Sequence, residues 1–341
     1  MTARTAIITG GNSGLGYEAA KAVAAASPDW HVVIASRDLT RSTEAARELA
    51  ASSGNQHVEA MALDLGSLPS VRRFASEFAG RQGPPLRALL CNAGLQIVTG
   101  MTHTADGFET TFAVNHLGHF LLANLLLEQM VAPAAERAGK RSDAVHGRPP
   151  EARIVFTSSD THDPARRTGM PLPRWRDPHL LARPELDPEP DTDGQGQAGR
   201  RRYTTSKLCN VLCTYELARR IETSGLGTVT VNAFNPGFVG GTGLTRDYPG
   251  FVRVLARFVF PAFARMRSNA GRADSSGKAL ARLVLDPELE QATGRYYDRL
   301  EAVPSSEESY DQAKAAELWR VSAELVQLTP EETALAGSGQ A

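Results

Sequence analysis

A tyrosine and a lysine four residues apart, Tyr203 and Lys207, form the most informative chemical pair in the chain. On a helix, this spacing places both side chains on one face, one turn from each other. A nearby ammonium group favours the phenolate and lowers the tyrosine pKa from about 10, so that the tyrosine can exchange a proton near neutral pH. The pair alone is a weak signal, because most such pairs are exposed helix residues. The rest of the sequence has to supply the context.

The N-terminal sequence predicts a dinucleotide-binding site. Thr5–Thr9 is an apolar, β-prone run, and Tyr17–Ala26 is rich in helix-forming residues. Such a strand, turn and helix let backbone N–H groups at a helix N-terminus approach a pyrophosphate. The glycine spacing is G-x-x-x-G-x-G, and a simple turn is the alternative interpretation. The candidate cofactor-binding residues of the loop are Gly10, Asn12, Ser13, Gly14, Leu15 and Gly16.

The end of the second predicted strand, Trp30–Ala35, indicates which dinucleotide is bound. Ser36, Arg37 and Asp38 follow it. An acidic residue at the last strand position would bind the ribose 2′-hydroxyl of NAD, whereas an arginine suits the 2′-phosphate of NADP. Arg37 therefore predicts NADP(H) as the cofactor. The alternative is a solvated arginine at a strand end.

Two later predicted strands also end in polar residues, which is where open α/β sheets bind ligands. They are Leu86–Cys91, followed by Asn92, Ala93 and Gly94, and Arg153–Thr157, followed by Ser158 and Ser159. Strands and helices alternate along the chain, with further strands expected over 58–63, 228–233 and 294–297. This alternation predicts a parallel sheet with helices on both faces.

Together, these features resemble the short-chain dehydrogenase/reductase family over about residues 4 to 328. The motifs are the 9–16 loop, Asn92-Ala93-Gly94, Asn115, Ser159, Tyr203-x-x-x-Lys207 and Asn235-Pro236-Gly237. The resemblance implies one doubly wound Rossmann-type α/β domain over residues 1–330, with a mainly parallel sheet of about seven strands. Residues 331–341 are expected to form a flexible tail.

The resemblance also implies catalytic roles for four residues. Tyr203 would donate the proton, and Ser159 would hydrogen-bond the same substrate oxygen. Lys207 would lower the Tyr203 pKa and bind the cofactor ribose, and Asn115 would anchor a water that links Lys207 to solvent. Ser158 is the alternative to Ser159, which the surrounding residues favour.

Further cofactor contacts are implied along the chain. Asp64 and Leu65 would lie at the adenine, and Asn92, Ala93 and Gly94 along the adenine ribose. The residues expected to frame the nicotinamide are Pro236, Gly237, Val239 and Thr242. His116 and His119, beside Asn115, are expected to be structural rather than acid–base groups.

A narrower resemblance, to the light-dependent protochlorophyllide reductase and retinol dehydrogenase branch, rests on segments such as 106–109, 114–122 and 206–212. Phe238 departs from it, since a cysteine follows the Pro-Gly in the pigment enzymes. The favoured function is an NADPH-dependent oxidoreductase that acts on a bulky hydrophobic carbonyl or alcohol. Protochlorophyllide reductase-like double-bond reduction is the alternative, and a non-catalytic NADP-binding regulatory protein is a further one.

Two segments are assigned to the substrate side. Residues 160–202 form a long proline-containing insertion, of which 160–186 is expected near the substrate and 187–199 is expected to be mobile. A solvated surface insertion is the alternative. Residues 244–267 are bulky and aromatic, which suits an apolar pocket for a large hydrophobic ligand. Packing of this segment on the core or on another subunit is the alternative, and the sequence alone does not separate the two.

Composition limits the partners and the location. The chain has 341 residues, of which 42% are hydrophobic, and its net charge of −1 implies no nucleic-acid partner. The sequence contains no run that could form an integral membrane span and starts directly with a strand, so a cytoplasmic protein is expected. Three cysteines fit a reducing compartment, and Cys209 and Cys213 are expected to pack in the core rather than bind metal. The sequence leaves open whether the protein forms a homo-oligomer.

Overall fold

A computed structural model of the chain describes residues 3–136, 152–226, 229–239, 270–271 and 273–335. Within these ranges, eight strands form the main sheet. They are β1 (Arg4–Thr9), β2 (Trp30–Ser36), β3 (Val58–Ala62), β4 (Leu86–Cys91), β5 (Ala152–Thr157), β6 (Val229–Asn235), β9 (Arg295–Asp298) and β10 (Glu301–Ala302). A separate pair consists of β7 (Phe238–Val239) and β8 (Ala270–Gly271).

The strand order of the main sheet is β3-β2-β1-β4-β5-β6-β9-β10. The first seven strands in this order are parallel, and β10 pairs with β9 in the antiparallel direction. All seven strands expected from the sequence therefore form. The eighth is a two-residue edge strand that follows β9 after a tight turn, and its Glu301 and Ala302 are exposed. The predicted doubly wound, mainly parallel sheet is confirmed.

Helices cover both faces of this sheet. The α-helices are α1 (Gly14–Ala26), α2 (Leu39–Ser53), α3 (Leu68–Ala79), α4 (Thr110–Phe112), α5 (Gly118–Glu136), α6 (Pro178–Ala182), α7 (Gln195–Thr223), α8 (Ala273–Leu285) and α9 (Gln312–Leu325). A π-helical turn, Ala113–Leu117, joins α4 to α5. Short 3₁₀ turns are Asp160–His162, Pro164–Arg166, Pro184–Leu186, Pro287–Leu289, Glu307–Tyr310 and Pro330–Glu332.

Successive residues of the central strand β1 pack into opposite layers of the core. Ile8 belongs to the cluster formed with α1, α2 and α8, and Ile7 to the cluster formed with α3, α5, α7 and α9. Both side chains are fully buried. A strand buried on both faces needs a continuous apolar sequence, which explains the run from Ala6 to Ile8. The carboxyl end of β1 is thereby fixed at the middle of the sheet edge.

The predicted mobile segment 187–199 is not a loop throughout. Helix α7 begins at Gln195, and Ala198 in its first turns is only 8% exposed. Before the helix, the insertion is held by ion pairs between arginines and carboxylates. These pairs are Arg176 with Asp187 and Glu189, Arg201 with Asp191 and Asp193, and Arg202 with Glu109.

The predicted tail over 331–341 also begins later than expected. Arg72 donates to both carboxylate oxygens of Glu332, at 2.7 and 3.0 Å. Thr333 donates its hydroxyl to Asn124 at 3.0 Å, and Leu335 is buried against the core. Residues up to 335 are therefore part of the packed fold, and residues 336–341 lie outside the described residues.

Cys209 and Cys213 are both buried in the core, and burial raises the pKa of each thiol. Across the described ranges, three or more histidine, cysteine or acidic side chains do not gather into a metal-binding group. Within the same ranges, none of the helices combines the length and the apolar character needed to cross a membrane.

Candidate active site

A cleft of about 480 Å³ opens at the carboxyl ends of the parallel strands. Residues from both halves of the sheet line it. From the first half come the predicted residues Gly10, Asn12, Ser13, Gly14, Leu15, Gly16, Arg37, Asp64 and Leu65. From the second half come Asn92, Ala93, Gly94, Ser159, Tyr203, Lys207, Pro236 and Gly237. The sequence motifs therefore meet in one place.

The glycine-rich loop brings the start of α1 close to the ends of β1 and β4. Gly10 has a φ of +66°, a conformation that side-chain-bearing residues rarely adopt. A Cβ added at Gly16 would lie 2.5 Å from both the Asn92 Nδ2 and the Gly10 carbonyl oxygen. Only glycine fits at this crossing. The N-cap residue of α1, Ser13, makes no side-chain capping bond, and the first residues of the helix, Gly14 to Gly16, line the cleft.

Thr9 organises the backbone beside this loop, a role that the sequence interpretation did not assign. Its Oγ1 accepts hydrogen bonds from the N–H groups of Asn92 and Ala93, at 2.8 and 2.9 Å. The Asn92 Nδ2 donates to the Thr9 carbonyl at 2.9 Å. These bonds join the end of β1 to the end of β4. The threonine directly before the first glycine was the available signal.

Arg37 lies at the end of β2 with an exposed side chain, and no carboxylate within the described residues pairs with it. The neighbouring Asp38 is the N-cap of α2 and accepts from the Arg41 N–H at 3.1 Å. Asp64 Oδ1 accepts from the Gly66 N–H at 3.0 Å at the adjacent strand end. The Arg37 guanidinium is thus available to a ligand, whereas the Asp38 carboxylate caps α2.

The two serines after β5 have different surroundings. Ser158 is buried, and its hydroxyl donates to the Lys207 carbonyl at 2.8 Å. Ser159 is half-buried at the cleft, and its hydroxyl donates to Asp160 Oδ1 through a long bond of 3.3 Å. A hydroxyl that is already bonded inside the fold is poorly placed to meet a substrate. Both serines line the cleft, and the Ser159 hydroxyl is the less engaged of the two within the fold. The assignment of Ser159 rather than Ser158 as the catalytic serine stays a prediction.

Tyr203 and Lys207 both lie on α7, where their side chains point into the cleft. The Lys207 Nζ donates to the Thr157 carbonyl at 3.0 Å and lies 5.4 Å from the centre of the Tyr203 ring. Burial of the ammonium lowers the Lys207 pKa to about 8. The predicted pair is therefore an enclosed pair in the cleft rather than an exposed helix pair.

Asn115 lies behind the cleft wall rather than in the lining. Its side chain accepts from the Leu95 N–H at 2.9 Å, and its amide donates to the Leu95 carbonyl and to Ser206 Oγ, each at 3.0 Å. It sits in the π-helical turn, in which the normal helix hydrogen-bond pattern is shifted. Such turns occur frequently at functional sites. Asn115 thereby ties α7 to the loop after β4.

The two histidines beside Asn115 are buried within the fold, as expected for structural residues. His119 bridges Thr9 Oγ1, at 2.9 Å, and the Asn115 carbonyl, at 3.2 Å. His116 contacts Ser322 Oγ at 2.9 Å. Burial lowers the pKa of His119 to about 4 and that of His116 to about 3. Both rings are therefore neutral at physiological pH.

The remaining expected site residues lie in β7 or after it. Val239 is in β7, whose backbone pairs with β8. Thr242 and the expected substrate wall over 244–267 lie outside the described residues.

Comparisons with known proteins agree with this architecture. A family model described as short chain dehydrogenase matches residues 4–162, and one described as AcuH dehydrogenase domain matches residues 244–335. Protochlorophyllide reductase A from Oryza sativa is 37% identical over 94% of this chain and 80% of its own length. The corresponding enzyme from Pisum sativum is 36% identical over 94% of this chain and 77% of its own length.

A solved structure of an uncharacterized protein from Mycobacterium paratuberculosis aligns with a TM-score of 0.64 and 27% identity, over 96% of this chain and 94% of that one. The relatives share with this chain the fold and most of its length. The chain belongs to the short-chain dehydrogenase/reductase family of oxidoreductases.

Proposed function

We propose that the protein is an NADPH-dependent oxidoreductase that transfers a hydride between NADP(H) and a bulky hydrophobic carbonyl or alcohol. The observation that carries this proposal is the cleft itself. Ser159, Tyr203 and Lys207 line the same space as the glycine-rich loop and Arg37. A dinucleotide held by the loop would present its reactive end to the three catalytic residues.

The residues present fit NADP(H). Gly16 lets the start of α1 pack closely against Gly10 and Asn92, and this helix start offers N–H groups and a positive dipole end to a pyrophosphate. Arg37 would bind the 2′-phosphate, since its guanidinium is exposed at the cleft. Asp64 and Leu65 would lie at the adenine, and Pro236, Gly237 and Val239 at the nicotinamide. Thr242 is expected to add a contact there.

The cofactor would supply the hydride, and the protein would supply the proton and the charge stabilisation. In the reductive direction, the carbonyl oxygen of the substrate gains negative charge. Ser159 would donate a hydrogen bond to this oxygen, and Tyr203 would transfer its proton to it. The Lys207 ammonium would stabilise the negative charge left on the tyrosine.

Asn115 would keep this arrangement rigid. Its side chain holds Leu95 and Ser206, and Ser206 directly precedes Lys207 on α7. The expected role of Asn115 in anchoring a water beside Lys207 stays a prediction. One hydrogen bond to its carbonyl already comes from His119.

Double-bond reduction of a tetrapyrrole is the second candidate, and a specific observation favours it. Two relatives with 36–37% identity over nearly the whole chain are protochlorophyllide reductases. The Phe238 that follows Pro236-Gly237 counts against it, because a cysteine is expected there in the pigment enzymes. Dark turnover of a carbonyl is therefore ranked first.

The deciding experiment compares two assays of the wild-type protein. One uses NADPH with a panel of bulky ketones and aldehydes in the dark, and the other uses NADPH with protochlorophyllide in light and in darkness. We expect carbonyl turnover in the dark. Pigment reduction only in light, without turnover of any carbonyl, would reverse the ranking. Binding of NADPH without either activity would indicate a regulatory protein.

Tyr203→Phe tests the proposed acid on whichever substrate is found. The substitution keeps the ring and removes the proton donor, so turnover should fall by roughly 10²- to 10⁴-fold. NADPH affinity should change little. Tyr310 is 53% exposed and does not line the cleft, so Tyr310→Phe is the matched control. A Tyr203→Phe protein with near-normal turnover would exclude Tyr203 as the acid.

A further inference from the structure

His162 is a buried histidine that the sequence interpretation did not single out and that the proposed reaction does not use directly. It ends the short 3₁₀ turn Asp160–His162, whose N-cap residue is Ser159. The side chain is fully buried. It lies three residues after the proposed catalytic serine, at the point where the chain leaves the sheet and enters the insertion.

The two ring nitrogens of His162 have fixed and different partners. Nε2 accepts a hydrogen bond from the Ser306 N–H at 3.2 Å, and an N–H group can only donate. The ring proton must therefore be on Nδ1, which donates to the Ser159 carbonyl at 2.5 Å. Burial lowers the pKa of His162, which favours this neutral form. Both nitrogens are satisfied in one tautomer.

The Ser159 backbone is held from several sides as a result. The preceding residue, Ser158, is fixed to β6 by a bond from its N–H to the Phe234 carbonyl and to α7 by a bond from its hydroxyl to the Lys207 carbonyl. The Ser159 carbonyl accepts a hydrogen bond from the His162 backbone N–H at 3.3 Å, in addition to the one from the ring Nδ1. The Ser159 hydroxyl itself makes only long hydrogen bonds, of 3.3 Å each. Its direction therefore depends on the Ser159 backbone, because the backbone of a residue restricts the rotamers of its side chain.

We propose that His162 is a positioning residue that fixes the Ser159 hydroxyl in the cleft by holding the Ser159 carbonyl against the segment at Ser306. This inference rests on the proposed function, in which Ser159 binds the substrate oxygen. It also assigns a role to the segment after β10, since Ser306 holds the far side of the ring. The Tyr296 ring, 5.0 Å from the His162 ring, restricts the ring from one side.

Two amide substitutions separate the two contacts. The amide of His162→Asn can occupy the Nδ1 position and donate to Ser159, whereas that of His162→Gln reaches the Nε2 position and can accept from Ser306. If His162 acts through Ser159, the Asn variant should keep most of the wild-type kcat. The Gln variant should lose roughly 10- to 100-fold in kcat, because small displacements of a reacting group have effects of this size. NADPH affinity should be unchanged in both.

The outcomes distinguish this inference from the proposed function. Equal losses of kcat in the Asn and Gln variants, in proportion to their losses of thermal stability, would show a purely structural role and overturn the inference. A wild-type protein that turns over no carbonyl would instead overturn the proposed function. Nitrogen-15 NMR of histidine-labelled wild-type protein gives a readout that needs no substrate. A protonated Nδ1 and an unprotonated Nε2 on His162 support the contact, and the opposite tautomer overturns it.

Discussion

Lys207 is expected to lower the stability of the fold at neutral pH, although the proposed reaction needs it. The side chain is 3% exposed, and its burial lowers the pKa from 10.5 to about 8. Each pKa unit corresponds to about 1.4 kcal/mol. Keeping the charged ammonium in the folded protein at pH 7 therefore costs roughly 3 kcal/mol of the free energy of unfolding.

Lys207→Met removes this cost and keeps a flexible apolar chain of similar length. The substitution removes the hydrogen bond from Lys207 to the Thr157 carbonyl, but the Asn210 amide still donates to that oxygen at 3.1 Å. The Thr157 carbonyl therefore keeps a hydrogen-bond partner in the variant. We expect the variant to be more stable than the wild type at pH 7, by up to roughly 3 kcal/mol, and to lose turnover.

The lowered pKa of Lys207 also determines how the free energy of unfolding changes with pH. Below the folded-state pKa of about 8, the lysine is charged in both states and the full cost is present. Between about 8 and 10.5, the unfolded chain binds more protons than the folded one, so wild-type stability rises with pH. The advantage of Lys207→Met should therefore shrink across this window.

Urea unfolding of the cofactor-free protein at pH 7, 8 and 9.5 measures this advantage. Lys21→Met is the matched control, since Lys21 is exposed on α1 and should show no such change with pH. A Lys207→Met protein that is less stable than the wild type at pH 7 would refute the reasoning. An advantage that does not change between pH 7 and 9.5 would refute it as well.

Four further substitutions test the cofactor and substrate contacts. Arg37→Ala should weaken NADPH binding by roughly ten- to hundredfold and leave NADH binding unchanged. Calorimetric titration of both cofactors measures this, and equal affinities of the wild type for NADPH and NADH would contradict the role of Arg37. Ser159→Ala should lower kcat by roughly 10²- to 10³-fold and Ser158→Ala much less; the reverse order in steady-state assays would transfer the role to Ser158. Gly16→Ala should abolish tight NADPH binding and destabilise the fold by roughly 1–3 kcal/mol, because its Cβ would lie 2.5 Å from backbone; unchanged binding and urea midpoint would contradict this.

The sheet and most of the site could be predicted from the sequence because both follow from local patterns. Short apolar runs ended in polar residues, and parallel strands place their carboxyl ends at one edge. Arg37, Asp64, Asn92 and Ser159 therefore had to converge once the strands were identified. The strand limits differ from the expected ones by only one or two residues.

What the sequence did not reveal depends on contacts between distant segments. Ser306 and His162 are 144 residues apart, and Arg72 and Glu332 are 260 apart, so no local pattern connects them. The start of α7 was missed for a different reason. Glycines in its first turns have low helix propensity, but packing of Ala198 outweighs that preference.

The strand order has a consequence for how this enzyme could diversify. Strands β1, β2 and β3 lead into the residues proposed to choose the dinucleotide, whereas β5 and α7 carry those proposed to act on the substrate. The two groups share the cleft, but they lie on opposite sides of the β1–β4 junction. An exchange of Arg37 for an acidic residue could thus redirect the protein from one nicotinamide pool to the other without altering Ser159 or Tyr203. Dinucleotide preference and substrate range would be independent traits, open to separate selection in nature and to separate redesign in the laboratory.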